Sequence, residues 1–351
     1  MSTLPCEFDD KTKYIEHQST SISPFQFIRE YFVNSIEAIG ETGNNGSIYT
    51  DFNRQFFAKY NVYKLCFIDT GIGINQAGME SFIKNLSSSG GKNNKTKNHG
   101  IGAKIAAFPR NKFGIIYDSW IDGKGLRCWI HYDDDEGIYG LKEFTYDDGA
   151  CSAHVIEIDD SEKPKQIDQH GTRVTLLGNS LDENTMKPIV SNAMGGENSW
   201  IHNYANLRFF KIPSNLKIIC LDGYKVEENR RTHQVFGQKN ILDKHKLKSG
   251  CIDIDDAKIY WWLLDPKRKK RAHGRGHTKS FSGCLNGYEL FNIKEGKSSL
   301  VSKFGLHIGD ENVVIIVHPN ENAYIQDWTR SFITKKDGTS LPWMQWPRAN
   351  L

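Results

Sequence analysis

The chain has 351 residues, enough for two domains and a sizeable core. At 38% hydrophobic, 12% aromatic and 25% charged it is neither a disordered polymer nor a membrane protein, and even the apolar runs Ile259 to Leu264 and Val313 to Val317 are too short to span a bilayer. A net charge of +3 does not by itself imply a nucleic-acid partner, although the charge is unevenly spread.

The seven cysteines, Cys6, Cys66, Cys128, Cys151, Cys220, Cys251 and Cys284, are odd in number, widely spaced and without a Cys-x-x-Cys pair. That argues against a disulfide framework or a zinc site and for reduced, mostly buried thiols. Met1 to Lys13 contains acidic residues and no apolar run of signal-peptide type, so a cytoplasmic location is expected.

In chain order, residues 1–22 read as a polar N-terminal arm without periodicity. A helix over 23–39 follows: Ile28, Phe32, Ile36 and Ile39 share one stripe, and Glu30, Asn34 and Glu37 lie on the other side. Ser23 is expected as its N-cap, Pro24 as its first residue, Gln26 as a capping-box partner and Gly40 as its stop. Gly40 to Gly46 reads as a turn, and Gln55 to Lys64 as the approach to a buried strand, Leu65 to Ile68, that delivers Asp69 into Asp69-Thr70-Gly71-Ile72-Gly73. Ala77 to Leu86 has helical spacing and feeds a polar, glycine-rich loop over 87–99. That loop runs into Gly100-Ile101-Gly102-Ala103-Lys104 at the head of another helix.

Short strands are expected at Phe113 to Tyr117, Gly125 to Tyr132, Gly137 to Thr145 and His154 to Ile158, with a further strand headed by Gly171 and Thr172. The pattern is α+β: a mostly antiparallel sheet with helices on one face. A helical stretch around Ser199 to Phe209 leads to a second region whose clearest strands are Lys217 to Leu221, Ala257 to Leu264 and Asn312 to Val317. In the tail, Asp327 to Thr334 reads as a short amphipathic helix, with Lys335 and Lys336 in the loop after it.

If the three polar stretches line one pocket, their chemistry suits a nucleotide. A loop rich in Gly, Ser and Asn offers backbone N–H donors to a phosphate chain, and Lys104 adds a positive charge. Asn34 suits Mg2+, which accepts an amide oxygen together with phosphate oxygens and water. Glu30, one turn earlier, could orient and deprotonate an attacking water. Asp69 can accept from the exocyclic amine of adenine, which favours ATP over GTP, because guanine presents a carbonyl there. The plain alternative for the helix residues is a solvated face.

This set resembles the GHKL, or Bergerat-fold, ATPases, nearest to the MORC and MutL types, over about residues 25–180. The motifs that carry the likeness are Glu30, Asn34, Glu37 and Ala38; Asp69, Gly71 and Gly73; Gly100, Ile101, Gly102, Ala103 and Lys104; and Gly171 with Thr172. The resemblance implies a Bergerat-type ATP-binding domain over 23–210 and a smaller α/β transducer-like domain over 211–351. It also implies ATP hydrolysis with Mg2+, a lid that closes on nucleotide, a homodimer embraced by the N-terminal arm, and clamp-like action on DNA or with a partner subunit, as in prokaryotic antiviral defence. The lysine that such a transducer extends to the terminal phosphate is missing after Val313 to Val317, which leaves Lys335 or Lys336 as the candidate. For DNA, the basic run Lys267, Arg268, Lys269, Lys270 and Arg271 could contact the backbone, a solvated loop being the alternative. A different class of reading is a non-hydrolysing nucleotide sensor or chaperone-like scaffold. No P-loop, Rossmann fingerprint, dimerising histidine-kinase helix pair or nuclease signature is found, and a lone Asp69-Thr70-Gly71 does not make an aspartic protease.

Overall fold

The structure, a computed structural model, describes residues 11–84, 102–145, 152–189, 199–221, 232–268, 279–296, 300–305, 310–320, 323–327, 329–343 and 345–346. Residues 1–10 of the arm, residues 85–101, on which the expected glycine-rich loop over 87–99 falls, and residues 269–278 of the basic region lie outside these. The chain divides into two compact units, one formed by residues 1–191 and 215–232, the other by 192–214 and 233–351. The units are interleaved in sequence, where the pattern suggested a single break near 210.

The first unit contains α1 (Lys11–Ser19), α2 (Gln26–Thr42), β1 (Gly46–Phe52), α3 (Arg54–Tyr60), β2 (Leu65–Asp69), α4 (Gln76–Lys84) and α5 (Gly102–Ala107). After these come β3 (Ile115–Ile121), β4 (Lys124–Asp133), β5 (Ile138–Leu141), the small hairpin β6 (Phe144–Thr145) with β7 (Ser152–Ala153), β8 (Val155–Ile158), β9 (Gly171–Leu176) and β10 (Leu216–Leu221). Its main sheet runs β10-β1-β2-β9-β3-β4-β5, with β8 also on β4. Only β1 and β10 pair in parallel there, so the sheet is mostly antiparallel, as an α+β chain requires.

The centre of this unit is α2 packed on β2. All of β2 is buried, because alternate residues serve opposite faces. Phe67 meets the rings of Phe27, Tyr31 and Phe32 on α2, while Cys66 and Ile68 join Trp120 and Ile167 on the far face. The stripe Ile28, Phe32, Ile36 and Ile39 is buried as its spacing implies. The ends of α2 differ from expectation. Gln26 does not cap: its side-chain amide is drawn along the helix to Glu30. The helix also runs past Gly40 to Thr42, and Gly43, at φ 68°, closes it by donating its N–H to the Gly40 carbonyl.

A buried lysine fastens the end of β9 to the start of β2. Lys64 is fully buried, and its ammonium donates to the carbonyls of Leu177, Ser180 (2.9 Å) and Glu183 (2.7 Å). All three of its N–H groups are thereby used.

The second unit holds α6 (Trp200–Arg208), β11 (Thr232–Val235), α7 (Gln238–His245) and a five-stranded sheet in the order β12-β13-β16-β14-β15. These strands are β12 (Lys246–Ile254), β13 (Ala257–Leu264), β14 (Phe281–Asn286), β15 (Glu289–Glu295) and β16 (Val313–Pro319). Ile315 and Val317 point into one apolar cluster and Val314 and Ile316 into another, which explains the continuous apolar run of β16. Two expectations for this region fail. The strand 217–221 is β10 of the first unit, paired with β1. The helix expected over 327–334 is instead the turn of a hairpin, β17 (Tyr324–Gln326) with β18 (Ile333–Lys335), because the Asp327 carboxylate accepts from the N–H groups of Ser331 (3.0 Å) and Phe332 (2.7 Å). Among the described cysteines, Cys66, Cys128, Cys220 and Cys284 are buried, Cys251 is exposed and all are free. No helix among the described residues is long and apolar enough to cross a membrane.

Replacing Lys64 by Met keeps the volume but strands three carbonyls; we expect a loss of roughly 2–5 kcal/mol in urea denaturation, without a change of slope. A loss under about 0.5 kcal/mol would show that these carbonyls find other partners.

Candidate functional site

One row of the first unit's sheet carries the site. Strand register places Ile48, Asp69, Thr172 and Ser119 side by side across β1, β2, β9 and β3, on the face covered by α2. Asp69 is buried, and one carboxylate oxygen accepts from the Gly71 N–H at 2.9 Å and the other from Ser35 Oγ at 3.1 Å. Burial pushes its carboxyl up to about 6, and the hydrogen bonds from Gly71, Ser35 and the Thr172 backbone hold it from rising further. Asp69 is therefore a carboxylate at neutral pH and an acid just below pH 6.

The glycine turn after Asp69 is shaped by close approach. A Cβ on Gly71 would lie 2.7 Å from the Ala38 Cβ, so this glycine is what lets α2 rest on the turn, and the Ile72 N–H donates to the Ala38 carbonyl at 3.3 Å. Gly73 has φ +77° and sits where any Cβ would be 2.5 Å from the Trp120 carbonyl oxygen. Ser119 Oγ locks the end of the turn by accepting from the Ile74 N–H and donating to the Gly171 carbonyl.

Just over two turns back along α2 from Ala38 lies Glu30, only 1% exposed. Its Oε1 accepts from Gln26 Nε2 at 2.8 Å and from Arg29 Nη1 at 2.9 Å. The other oxygen, Oε2, faces α5: a Cβ on Gly102 would stand 2.2 Å from it. Only glycine lets the backbone of α5 meet this carboxylate. Lys104 on the same short helix is buried, and burial, then the charge of Lys11, lowers its pKa to about 8.

The remaining expected residues fall as follows. Asn34 and Ala38 are half-buried along α2, Glu37 is exposed, Ala103 and Thr172 are buried, and Gly100 and Ile101 lie outside the described residues. Lys335 belongs to the second unit, where it ends β18 and donates its N–H to the Thr339 carbonyl; it does not follow a helix. Of the basic run, Lys267 is exposed, but Arg268 is buried and spends its guanidinium on Asn312 Oδ1 (2.7 Å) and the Asp265 carbonyl (2.8 Å). Arg268 is thus a structural residue and not an available phosphate contact; Lys269, Lys270 and Arg271 lie outside the described residues. Among the described residues no group of three or more His, Cys, Asp or Glu could hold a metal ion.

Sequence reading missed Ser35 and Arg29, and gave Gln26 the role of a cap in place of its bond to Glu30. Ser35 stands three residues after Phe32 and four before Ile39, so it falls on the buried stripe, and a hydroxyl there is itself a signal that a polar partner waits inside. Gln26 and Arg29 offered no comparable signal.

The raised Asp69 pKa has a sign. A carboxyl whose folded pKa lies above its usual value favours folding most below about pH 4, and that contribution is lost as pH rises through 6. In the ligand-free protein, Asp69→Asn should therefore be stabilising at pH 7.5 by about 1–3 kcal/mol, and neutral or destabilising at pH 4. Urea denaturation at the two pH values measures the difference; a pH-independent effect would contradict the assignment.

No protein-family model matches the chain, and no curated protein matches it either.

Proposed function

We propose that the first unit binds ATP with Mg2+ and hydrolyses it, in a Bergerat-type fold as the resemblance to the GHKL ATPases implies. The observation that carries this is the reach of one helix: α2 sets Glu30 against Gly102 and Ala38 against Gly71, so that three motifs far apart in sequence meet on its length.

In this reading the Asp69 carboxylate accepts from the exocyclic amine of adenine, with Ser35 and Gly71 fixing its direction. Ionised at neutral pH, it also rejects guanine, whose carbonyl would leave two acceptors facing each other. Glu30 orients the attacking water and takes its proton; the Arg29 guanidinium and the Gln26 amide hold its carboxylate in place. Lys104 contributes positive charge toward the phosphates. Bound Mg2+ would neutralise charge on the phosphates, and Asn34 is the residue that would hold it through its amide oxygen. Nucleotide binding would close a lid, as the resemblance implies, and favour a homodimer that acts as a clamp, with DNA as the client and antiviral defence as the setting; hydrolysis would then reopen it.

A second reading, a nucleotide sensor that does not hydrolyse, draws on the enclosure of Glu30 and its pairing with Arg29. Both the wild type and Glu30→Gln separate the two. For an ATPase, the wild type releases phosphate and Glu30→Gln should slow that release at least about 100-fold while ATP affinity stays within about threefold. Equal phosphate release by both proteins would remove Glu30 from the base role; ATP binding without release by the wild type would favour the sensor.

A further inference from the structure

We propose that the sheet face opposite α2 carries a second ligand site, one that takes a small organic anion with an apolar body. It is independent of the nucleotide reading, since it uses the other side of β2.

Register defines that side. Ile68, Arg173, Asp118 and Arg127 stand in one row across β2, β9, β3 and β4, and Cys66 lies beside Asp51 in the neighbouring row. Over these rows opens a cavity of about 330 Å³ with Cys66 and Ile68 as floor, Arg173 and Gln55 as wall, and Lys163 and Lys165 at the mouth. That volume is at the lower end of small-molecule sites, roughly 300–1,000 Å³. It suits a single ring with one charged group better than a nucleoside triphosphate.

The wall is rigid and its charges are balanced. Arg173, 2% exposed, donates from Nε (2.9 Å) and Nη2 (2.7 Å) to Asp118, which is wholly buried, and from Nη1 to Gln55 Oε1 at 3.0 Å. Arg127 also pairs with Asp118, and with Glu162 at 3.1 Å. Asp51 and Arg54, which also border the cavity, answer each other at 3.0 Å. A buried network of this kind is costly beside apolar packing, and what it yields here is a guanidinium fixed in place over an apolar floor.

The mouth is not balanced. Lys163 and Lys165 have no carboxylate partner among the described residues; Lys163 spends one of its three N–H donors on the Asp168 carbonyl, at 3.0 Å, and two remain. Two unpaired ammonium groups above an apolar floor attract an anion and repel a cation, and the floor favours a ring or branched chain attached to it.

Titration calorimetry or NMR on the full chain tests this with phenyl phosphate and benzoate, and with benzyl alcohol and benzylamine as the neutral and cationic forms of the same ring. At least one anion should bind saturably, one per chain, about tenfold or more tighter than benzyl alcohol, and weaken with added salt. Comparing the two anions tells whether a phosphate or a carboxylate is preferred. Lys163→Gln with Lys165→Gln should cost about tenfold in affinity, and these solvent-facing changes leave the core intact; Asp69→Asn should leave the anion's affinity unchanged. No saturable binding by either anion, equal affinity in the double lysine variant, or loss of binding in Asp69→Asn would each overturn the proposal.

Discussion

A carboxylate buried at the end of a strand, beneath a helix, is the constraint on which the first unit is built. Asp69 is charged at neutral pH at the cost of desolvation, and three donors from three different segments offset part of that cost: Ser35 on α2, Gly71 in the turn and Thr172 on β9. Each donor exists because something else is in place. Ser35 needs the stripe of α2 seated on Phe67; the Gly71 N–H needs a turn with no side chain under Ala38; Thr172 needs the β2–β9 register. A buried acceptor held by donors from separate elements is fixed in direction, and a fixed acceptor is what recognition of one purine over another demands.

The same strand alternation that buries Asp69 gives β2 two unlike faces. Toward α2 lie Phe67 and Asp69, packed with aromatic rings and joined to the glycine turn. On the other side lie Cys66 and Ile68, next to the ladder of Arg173, Asp118 and Arg127. Because every residue of β2 is committed to one side or the other, a slip of one residue in its pairing would exchange the faces and place a carboxylate beneath the arginines. The fully buried strand thus sets the register of both the nucleotide reading and the anion site.

Much of this was legible before the structure. The stripe of α2, the apolar run that becomes β2 and the delivery of Asp69 into a glycine turn all follow from local periodicity, which one short segment can carry by itself. What was not legible depends on partners distant in sequence. β1 carries Ser47, Thr50 and Asp51 among its apolar residues and has no assignment from sequence, yet it lies inside the sheet between β10 and β2; Asp51 is tolerated there because Arg54, at the head of α3, pairs with it. β10 reads as the start of a new domain because nothing in its residues announces a parallel pairing with β1. The tail was misread for a different reason: Asp327 spaced before apolar residues mimics a helix start, and only the turn it holds reveals a hairpin. At the site, Glu30, Asn34 and Asp69 were chosen by residue type, whereas Gln26 and Arg29, which hold Glu30, were not, since glutamine and arginine on a helix are ordinarily solvated.

The most direct measurement of the central claim is a crystal structure with Mg2+ and a non-hydrolysable ATP analogue. It should place the exocyclic amine of adenine within hydrogen-bond distance of the Asp69 carboxylate, and the terminal phosphate near Glu30 and Gly102. A nucleotide bound elsewhere, or a carboxylate at Asp69 still enclosed by protein groups alone at saturating analogue, would contradict it.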